Sequence, residues 1–203
     1  MITLVDYGVG NIQAFANIYK RLNVPCRVAR TATELVGAEK IILPGIGAFD
    51  WAMQRLESSG MRASLDELVR SQGRPVLGIC VGMQMMARSS EEGVLSGLGW
   101  IDAEVRRFDE TCFQQRTHLP HMGWNDVTPV ATDTLFRCMD SPRFYFLHSY
   151  YFAPRDPVQT LATTDYNGVF TSAAGHGQIF GVQFHPEKSH EWGVQLLKNF
   201  AEV

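Results

Sequence analysis

Short β-branched, apolar runs alternate with amphipathic stretches through the first half of the chain. Ile2–Asp6, Cys26–Ala29, Ile41–Leu43 and Val76–Ile79 read as strands, and Asn11–Leu22, Phe49–Ser58 and Met61–Gln72, with polar and apolar positions interleaved, read as helices. That rhythm predicts βαβ units and a parallel sheet with helices on both faces. The segments after the strands, Asp6–Asn11, Pro44–Gly47 and Cys80–Gly82, then gather at the carboxyl edge, where open α/β sheets bind ligands. The second half changes character. Strand-like runs at Ala103–Phe108, Asn125–Val127, Arg143–Phe152, Gln159–Thr164, Val169–Ala174 and Ile179–Phe184, with few helical stretches between them, predict antiparallel additions to the sheet. A last amphipathic stretch, His190–Phe200, places Trp192, Val194, Leu196, Leu197 and Phe200 at broadly helical spacing and predicts a packed closing helix. No repeat, linker or low-complexity segment interrupts the pattern. The expected architecture is α/β, an open, mixed, mainly parallel sheet flanked by helices, in a single domain spanning residues 1–203.

Composition narrows the function classes. With 203 residues, 45% of them hydrophobic and 19% charged, the chain can bury one substantial core. The formal net charge is -3 and no run of Lys and Arg is available to neutralise a line of phosphates, which argues against nucleic acid as partner. No apolar stretch is long enough to span a bilayer and no basic leader precedes an apolar segment, so a cytoplasmic protein is expected. Cys26, Cys80, Cys112 and Cys138 form no C-x-x-C pair, and His118 and His121 have no carboxylate or cysteine nearby to complete a ligand set. Neither a metal nor any other cofactor is expected.

Of these cysteines, Cys80 has a distinctive setting. In Gly78-Ile79-Cys80-Val81-Gly82-Met83-Gln84 an apolar strand breaks at a small-residue turn and continues as a helix-like stretch. A G-x-C-x-G turn has the build of the G-x-S-x-G elbow, in which tight strand-to-helix geometry pushes the nucleophile out of the sheet and aims fresh helix N–H groups at it. A small buried cysteine on a core strand fits the same fragment. The second signal is Gly181-Val182-Gln183-Phe184-His185-Pro186-Glu187-Lys188-Ser189, an apolar strand ending in His-Pro-Glu. Residues two apart on an extended chain share a face, and a cysteine acting on an amide needs a base that takes and returns its proton, with a partner to fix the base's tautomer. Cys80, His185 and Glu187 supply those roles. The third signal is Pro44-Gly45-Ile46-Gly47-Ala48-Phe49, placed after a strand so that backbone N–H groups can turn toward developing negative charge. It reads as half an oxyanion hole or as an ordinary βα turn.

These three segments, together with Asp6-Tyr7-Gly8-Val9-Gly10-Asn11, Pro120-His121-Met122-Gly123-Trp124-Asn125 and Phe146-Leu147-His148-Ser149-Tyr150, make the chain resemble the class I glutamine amidotransferases from end to end. Within that family the resemblance is closest to the glutaminase subunits of imidazole glycerol phosphate synthase. It implies a flavodoxin-like, three-layer fold. It also implies that Cys80 attacks the side-chain amide of L-glutamine while His185 shuttles the proton and Glu187 orients it. The oxyanion hole would come from Val81 and from the Ile46–Gly47 part of the loop, and Gly45, Gln84, His148, Ser149 and Tyr150 would bind substrate. Asn11, His121, Trp124, Tyr145 and Lys188 match interface or gating positions toward a partner. That partner would be a (β/α)₈ barrel cyclase, the other subunit of imidazole glycerol phosphate synthase, which receives the ammonia in histidine biosynthesis. Taken singly, Trp124 also suits a core aromatic and Lys188 a solvated charge. Two enzymatic alternatives stay open at this stage, a sister glutaminase serving amidino-sugar formation and a stand-alone cysteine hydrolase. A binding subunit that keeps the fold without catalysis is a third reading, which the complete Cys80, His185 and Glu187 set opposes.

Overall fold

The computed structural model describes residues 1–114, 117–130 and 132–203. Strand β1 (Ile2–Val5) is buried at every position and lies between β2 (Cys26–Ala29) and β3 (Lys40–Gly45), with Leu4 opposite Val28 on one side and Ile42 on the other. β4 (Val76–Cys80) follows β3 in parallel, and β13 (Ile179–Val182) follows β4. Strands covered on both faces have no solvent side, which is why they read as continuous apolar runs. Beyond β13 the sheet continues through β12 (Val169–His176), β10 (Tyr150–Pro154), β6 (Ala103–Arg107) and the short β5 (Ser89–Ser90). β11 (Thr160–Asp165) and β8 (Thr128–Pro129) branch from β12. The pairings from β13 outward are antiparallel, except that β5 and β6 run parallel. The result is the expected open, mixed sheet with a parallel centre.

Helices flank this sheet. In α1 (Ile12–Arg21) Phe15, Ile18 and Tyr19 face the core, the Asn11 side chain accepts a hydrogen bond from the N–H of Ala14, and Lys20 and Arg21 sit in the last turn, where positive charge suits the helix dipole. The Tyr19 hydroxyl donates to the carbonyl of Leu197, tying α1 to the closing helix α6 (His190–Ala201). α2 (Ala32–Leu35) and α3 (Phe49–Ser58) fill the next crossovers. The stretch expected as one helix over Met61–Gln72 is α4 (Arg62–Asp66) followed directly by a π-helical turn, Glu67–Ser71.

Two expectations about strands need correction. The run Arg143–Phe152 is not one strand: β9 (Arg143–His148) pairs with β7 (His121–Asp126) in a separate two-stranded ribbon, and β10 belongs to the main sheet. β7 begins at His121, earlier than the expected Asn125. Register in the ribbon sets Met122 opposite Leu147 and Trp124 opposite Tyr145, so these four share one face, while His121, Phe146 and His148 belong to the other.

Candidate active site

Strand β4 ends at Cys80 and α5 (Val81–Gln84) begins with the next residue. Cys80 takes up the whole reversal, with φ 53° and ψ -112°, a conformation an L-residue adopts only when its surroundings enforce it. Those surroundings are close backbone contacts. A Cβ at Gly82 would lie 2.0 Å from the carbonyl oxygen of Leu43, and one at Gly78 would lie 2.7 Å from the carbonyl oxygen of Gly82. Both glycines are therefore needed for β3, β4 and the elbow to approach each other. Val81 occupies the first helical position, where an N–H has no carbonyl one turn earlier to receive it.

His185 follows β13 and opens the one-turn 3-10 helix Pro186–Lys188. Its backbone N–H donates to the carbonyl of Tyr145, and the Ser189 hydroxyl donates to the carbonyl of His185 while accepting from the N–H of Tyr145. These bonds fasten the turn to β9. The ring Nδ1 of His185 lies 2.8 Å from Oε1 of Glu187. Burial opposes a charged ring here, yet hydrogen bonds and charge attraction from the Cys80 sulfur and the Glu187 carboxylate outweigh it and raise the His185 pKa to about 10. The ring is thus set up as an imidazolium beside the cysteine, with Nδ1–H held by the carboxylate. The Gln183 amide, fully buried on the same strand end, lies 3.8 Å from the Cys80 sulfur through Nε2 and accepts from Nε2 of Gln84 through Oε1.

Cys80 and His185 open into a cavity of about 400 Å³. It is lined further by Ile46 and Gly47 from the loop after β3, by Val81, Gln84 and Glu92, by Pro120 and the segment Leu147–Tyr150, and by Lys188. A buried nucleophile, a cationic base fixed by a carboxylate, and N–H-bearing loop and helix ends around one cavity suit nucleophilic attack on a small amide or ester.

The sequence model for "Glutamine amidotransferase class-I" matches residues 3–203. The chain belongs to that family. This amidotransferase is 57% identical over the full length of both chains to the "Imidazole glycerol phosphate synthase subunit HisH" of Bdellovibrio bacteriovorus, and 49% identical, again over both full lengths, to the protein of the same name from Leptospira interrogans. Among solved structures, a putative GMP synthase component from Thermoplasma acidophilum superposes with a TM-score of 0.73 at 21% identity, covering 99% of this chain and 92% of that one. A structure described as a glutamine amidotransferase gives 0.74 at 18% identity, covering 100% and 99%. These two likenesses carry the fold alone.

The amidotransferase fold brings most of the sequence-selected residues together. Cys80, His185, Val81, Ile46, Gly47, Gln84, His148, Ser149 and Tyr150 all line the cavity, and Glu187 stands behind His185. Gly45 does not line it. It is buried at the end of β3, where an added Cβ would lie 2.3 Å from the backbone nitrogen of Gly82, so it serves the packing of strand against elbow. His121, expected at the partner surface, is 3% exposed and points inward to His148, because strand alternation turns Met122 and Trp124 outward in its place. Trp124, 41% exposed, stacks on the His190 ring and meets Tyr145 edge-on, and the Lys188 ammonium sits 5.8 Å over the Tyr145 ring. Asn11 is exposed at the start of α1. Glu92, Pro120, Leu147 and Gln183 were not selected from the sequence. Of these only Gln183 carried a signal, an amide inside an apolar strand run. Among the described residues no group of three or more His, Cys, Asp or Glu side chains is arranged to hold a metal ion, and no helix is long and apolar enough to cross a membrane.

Proposed function

We propose that this chain is the glutaminase subunit of an imidazole glycerol phosphate synthase, hydrolysing L-glutamine and passing the ammonia to a (β/α)₈ barrel cyclase partner in histidine biosynthesis. The observation that carries the reading is the Cys80 elbow facing a cavity it shares with His185, whose ring is held by Glu187. The names of the full-length relatives favour the histidine-pathway subunit over a stand-alone hydrolase. The match over residues 3–203 supports one glutamine amidotransferase domain, and a cytoplasmic location goes with that role.

In this mechanism the Cys80 thiolate attacks the side-chain amide carbon of glutamine, and the oxygen that gains negative charge is met by the Val81 N–H and by one from the Ile46–Gly47 loop. His185 gives a proton to the leaving nitrogen, which departs as ammonia and leaves a glutamyl thioester on Cys80. Water then gives a proton back to His185 and attacks the thioester, releasing glutamate. Glu187 keeps the Nδ1–H tautomer throughout. Glu92 supplies negative charge on the cavity wall suited to the substrate's α-ammonium group, and Gln84 and Ser149–Tyr150 bound the same space.

Ammonia released into water near neutral pH takes up a proton and loses the lone pair with which it attacks, so a sheltered path to a second site is required. Met122, Trp124, Tyr145 and Leu147 share the outward face of the ribbon, Leu147 and Lys188 reach the cavity, and Met122 is 65% exposed. This apolar face beside the mouth supports docking of the cyclase there. The testing experiment is glutamate release from L-glutamine by the chain alone and with an imidazole glycerol phosphate synthase cyclase carrying its nucleotide ligand. A low rate that rises steeply only in the complete mixture is expected. A high rate from the chain alone would favour an independent hydrolase, and silence in both would overturn the reading.

A further inference from the structure

Behind the cavity wall lies a chain of hydrogen bonds that the mechanism does not use. Nδ1 of His148 is 2.8 Å from the carbonyl oxygen of Tyr150, and Nε2 of His148 is 2.9 Å from Nδ1 of His121. Nε2 of His121 is 3.2 Å from Nδ2 of Asn125. The direction of each bond is fixed from both ends. At one end a carbonyl only accepts, so His148 carries its proton on Nδ1 and presents a lone pair at Nε2. At the other end Oδ1 of Asn125 accepts from the N–H of Asp126 and its Nδ2 donates to the carbonyl of Asp165, so the group facing His121 is an N–H donor. His121 therefore accepts at Nε2 and donates from Nδ1 to His148. Both imidazoles must be neutral for this to hold. Burial lowers the pKa of His121 to about 4, and burial together with the neighbouring His121 and His185 lowers that of His148 to about 3. The His121 ring is held in plane between Tyr166 and Phe146, at centroid distances of 4.0 and 4.7 Å.

We propose that His121 is a positioning residue for glutamine: by donating to His148 it locks His148 as the donor to the Tyr150 carbonyl, and so fixes the Ser149–Tyr150 wall of the cavity. The same carbonyl accepts from Nε2 of Gln84 at 3.1 Å, so one oxygen aligns both the wall segment and the Gln84 amide. Without the His121 donor, His148 Nε2 is a buried lone pair with no partner. The ring is then held by its Tyr150 bond alone and gains by turning until Nε2 meets another donor, which strains or breaks that bond and displaces Ser149–Tyr150. His121 itself does not line the cavity; it acts through His148. The inference rests on the glutaminase reading, and its test keeps the two apart.

The full chain is treated with two electrophiles. The diazo ketone analogue of L-glutamine must first occupy the cavity; the Cys80 sulfur then bonds to its diazo-bearing carbon, which takes the proton from His185, and dinitrogen leaves. Iodoacetamide needs no fitted cavity: the sulfur bonds to its methylene carbon and iodide leaves. In His121→Phe the analogue concentration for half-maximal inactivation should rise about tenfold, as expected for one orphaned buried hydrogen bond, while alkylation by iodoacetamide, followed on the Cys80 peptide apart from the exposed Cys112 and Cys138, keeps its rate. His121→Asn places an amide N–H where Nδ1 stood and should restore the wild-type concentration. Equal behaviour of wild type and His121→Phe overturns the proposal, as does an Asn variant no better than Phe, or parallel loss with both reagents. If His121→Phe does not fold, Asn125→Leu decides: it removes the donor at Nε2, should raise the same concentration, and overturns the proposal if it does not. A wild-type chain labelled at Cys80 by iodoacetamide and never by the analogue sinks the glutaminase reading itself.

Discussion

The His185 ring and the Glu187 carboxylate, two residues apart on the chain and bridged by Pro186, meet at 2.8 Å with both side chains 4% exposed. Only Oε1 of the carboxylate is used; Oε2 is buried without a hydrogen-bond partner among the described residues. Glu187→Gln keeps the shape but removes the charge that helps hold His185 as a cation, and it puts an N–H₂ donor where part of the site already lacks a partner. Glutamine turnover should fall about 10²-fold, less than in Cys80→Ala, which removes the bond-forming atom. The alkaline limb of the pH–rate profile should move to lower pH. A Gln variant as inactive as Cys80→Ala would mean that Glu187 does more than orient and charge the ring.

The histidines divide into two groups with opposite pH linkage. The folded pKa of His185, about 10, lies above the ordinary 6.5, so its stabilisation is complete below pH 6.5 and is lost as pH rises toward 10. His121 and His148 have folded values of about 4 and 3, so the stability that goes with their neutral forms is present above 6.5 and is lost as pH falls through those values. Urea midpoints measured across this range should be highest near pH 6.5. In His121→Asn the loss between pH 6.5 and 4 should shrink relative to wild type. Identical acid limbs in the two proteins would show that the pair does not titrate as placed.

Much of the site was legible because its chemistry sits at strand ends. Cys80 and the Ile46–Gly47 loop each follow a continuous apolar run, and parallel strands put those ends on one edge. The division of Arg143–Phe152 was hidden for a physical reason. Phe144, Phe146, His148 and Phe152 are all buried at even positions, so the two-residue period passes unbroken through Ser149 while the hydrogen-bonding partner changes from β7 to β6 and β12. The resemblance places His121 at the partner surface along with Trp124 of the same segment; pairing register, which is not written in a short strand, turns it inward. The Gly45 role was likewise invisible, since a glycine that permits backbone contact and one that faces a ligand look alike in sequence.

Two glycines separate steric from conformational cost. A Cβ at Gly82 would stand 2.0 Å from a backbone oxygen that cannot swing aside. Gly82→Ala should lose about 3 kcal/mol or more of stability and nearly all thioester formation, since β3 and the elbow must part. Gly60 has φ 70° and nothing within 4 Å of an added Cβ. Gly60→Ala should cost about 1 kcal/mol, from the left-handed backbone alone, with turnover intact. Thermal melts and steady-state rates of the two variants check the contrast; equal costs would contradict it.

Tyr7 lies under the loop to which the proposed mechanism gives the second oxyanion donor. Its buried hydroxyl donates to the carbonyl of Pro44 at 2.7 Å, just before Gly45–Gly47, and burial raises its pKa well above the ordinary value. Tyr7→Phe leaves that carbonyl unpaired and costs about 1 kcal/mol or somewhat more. Because the loop acts on charge that develops during reaction, the expected loss falls on kcat, about tenfold, with KM for glutamine little changed. A rise in KM at constant kcat would place the anchor's effect on substrate binding and remove the loop from the mechanism.

Trp124 gives the proposed partner face its most specific test. It is 41% exposed, yet its ring is already held parallel to His190 at 5.3 Å and edge-on to Tyr145, so its orientation is largely fixed before any partner arrives. A prealigned aromatic ring loses little conformational entropy on docking, and such residues dominate interface energies. Trp124→Ala should therefore weaken cyclase binding by about 2 kcal/mol, roughly 30-fold in Kd. Asp126→Ala, on the same face but at the far end of the strand, where the carboxylate is 78% exposed and pairs with Arg143, should change Kd by less than about threefold, in line with a rim position. Titrating each variant with ligand-bound cyclase and following glutamate release gives both constants. Half-maximal stimulation at the wild-type concentration in Trp124→Ala would move the docking surface away from the β7–β9 ribbon.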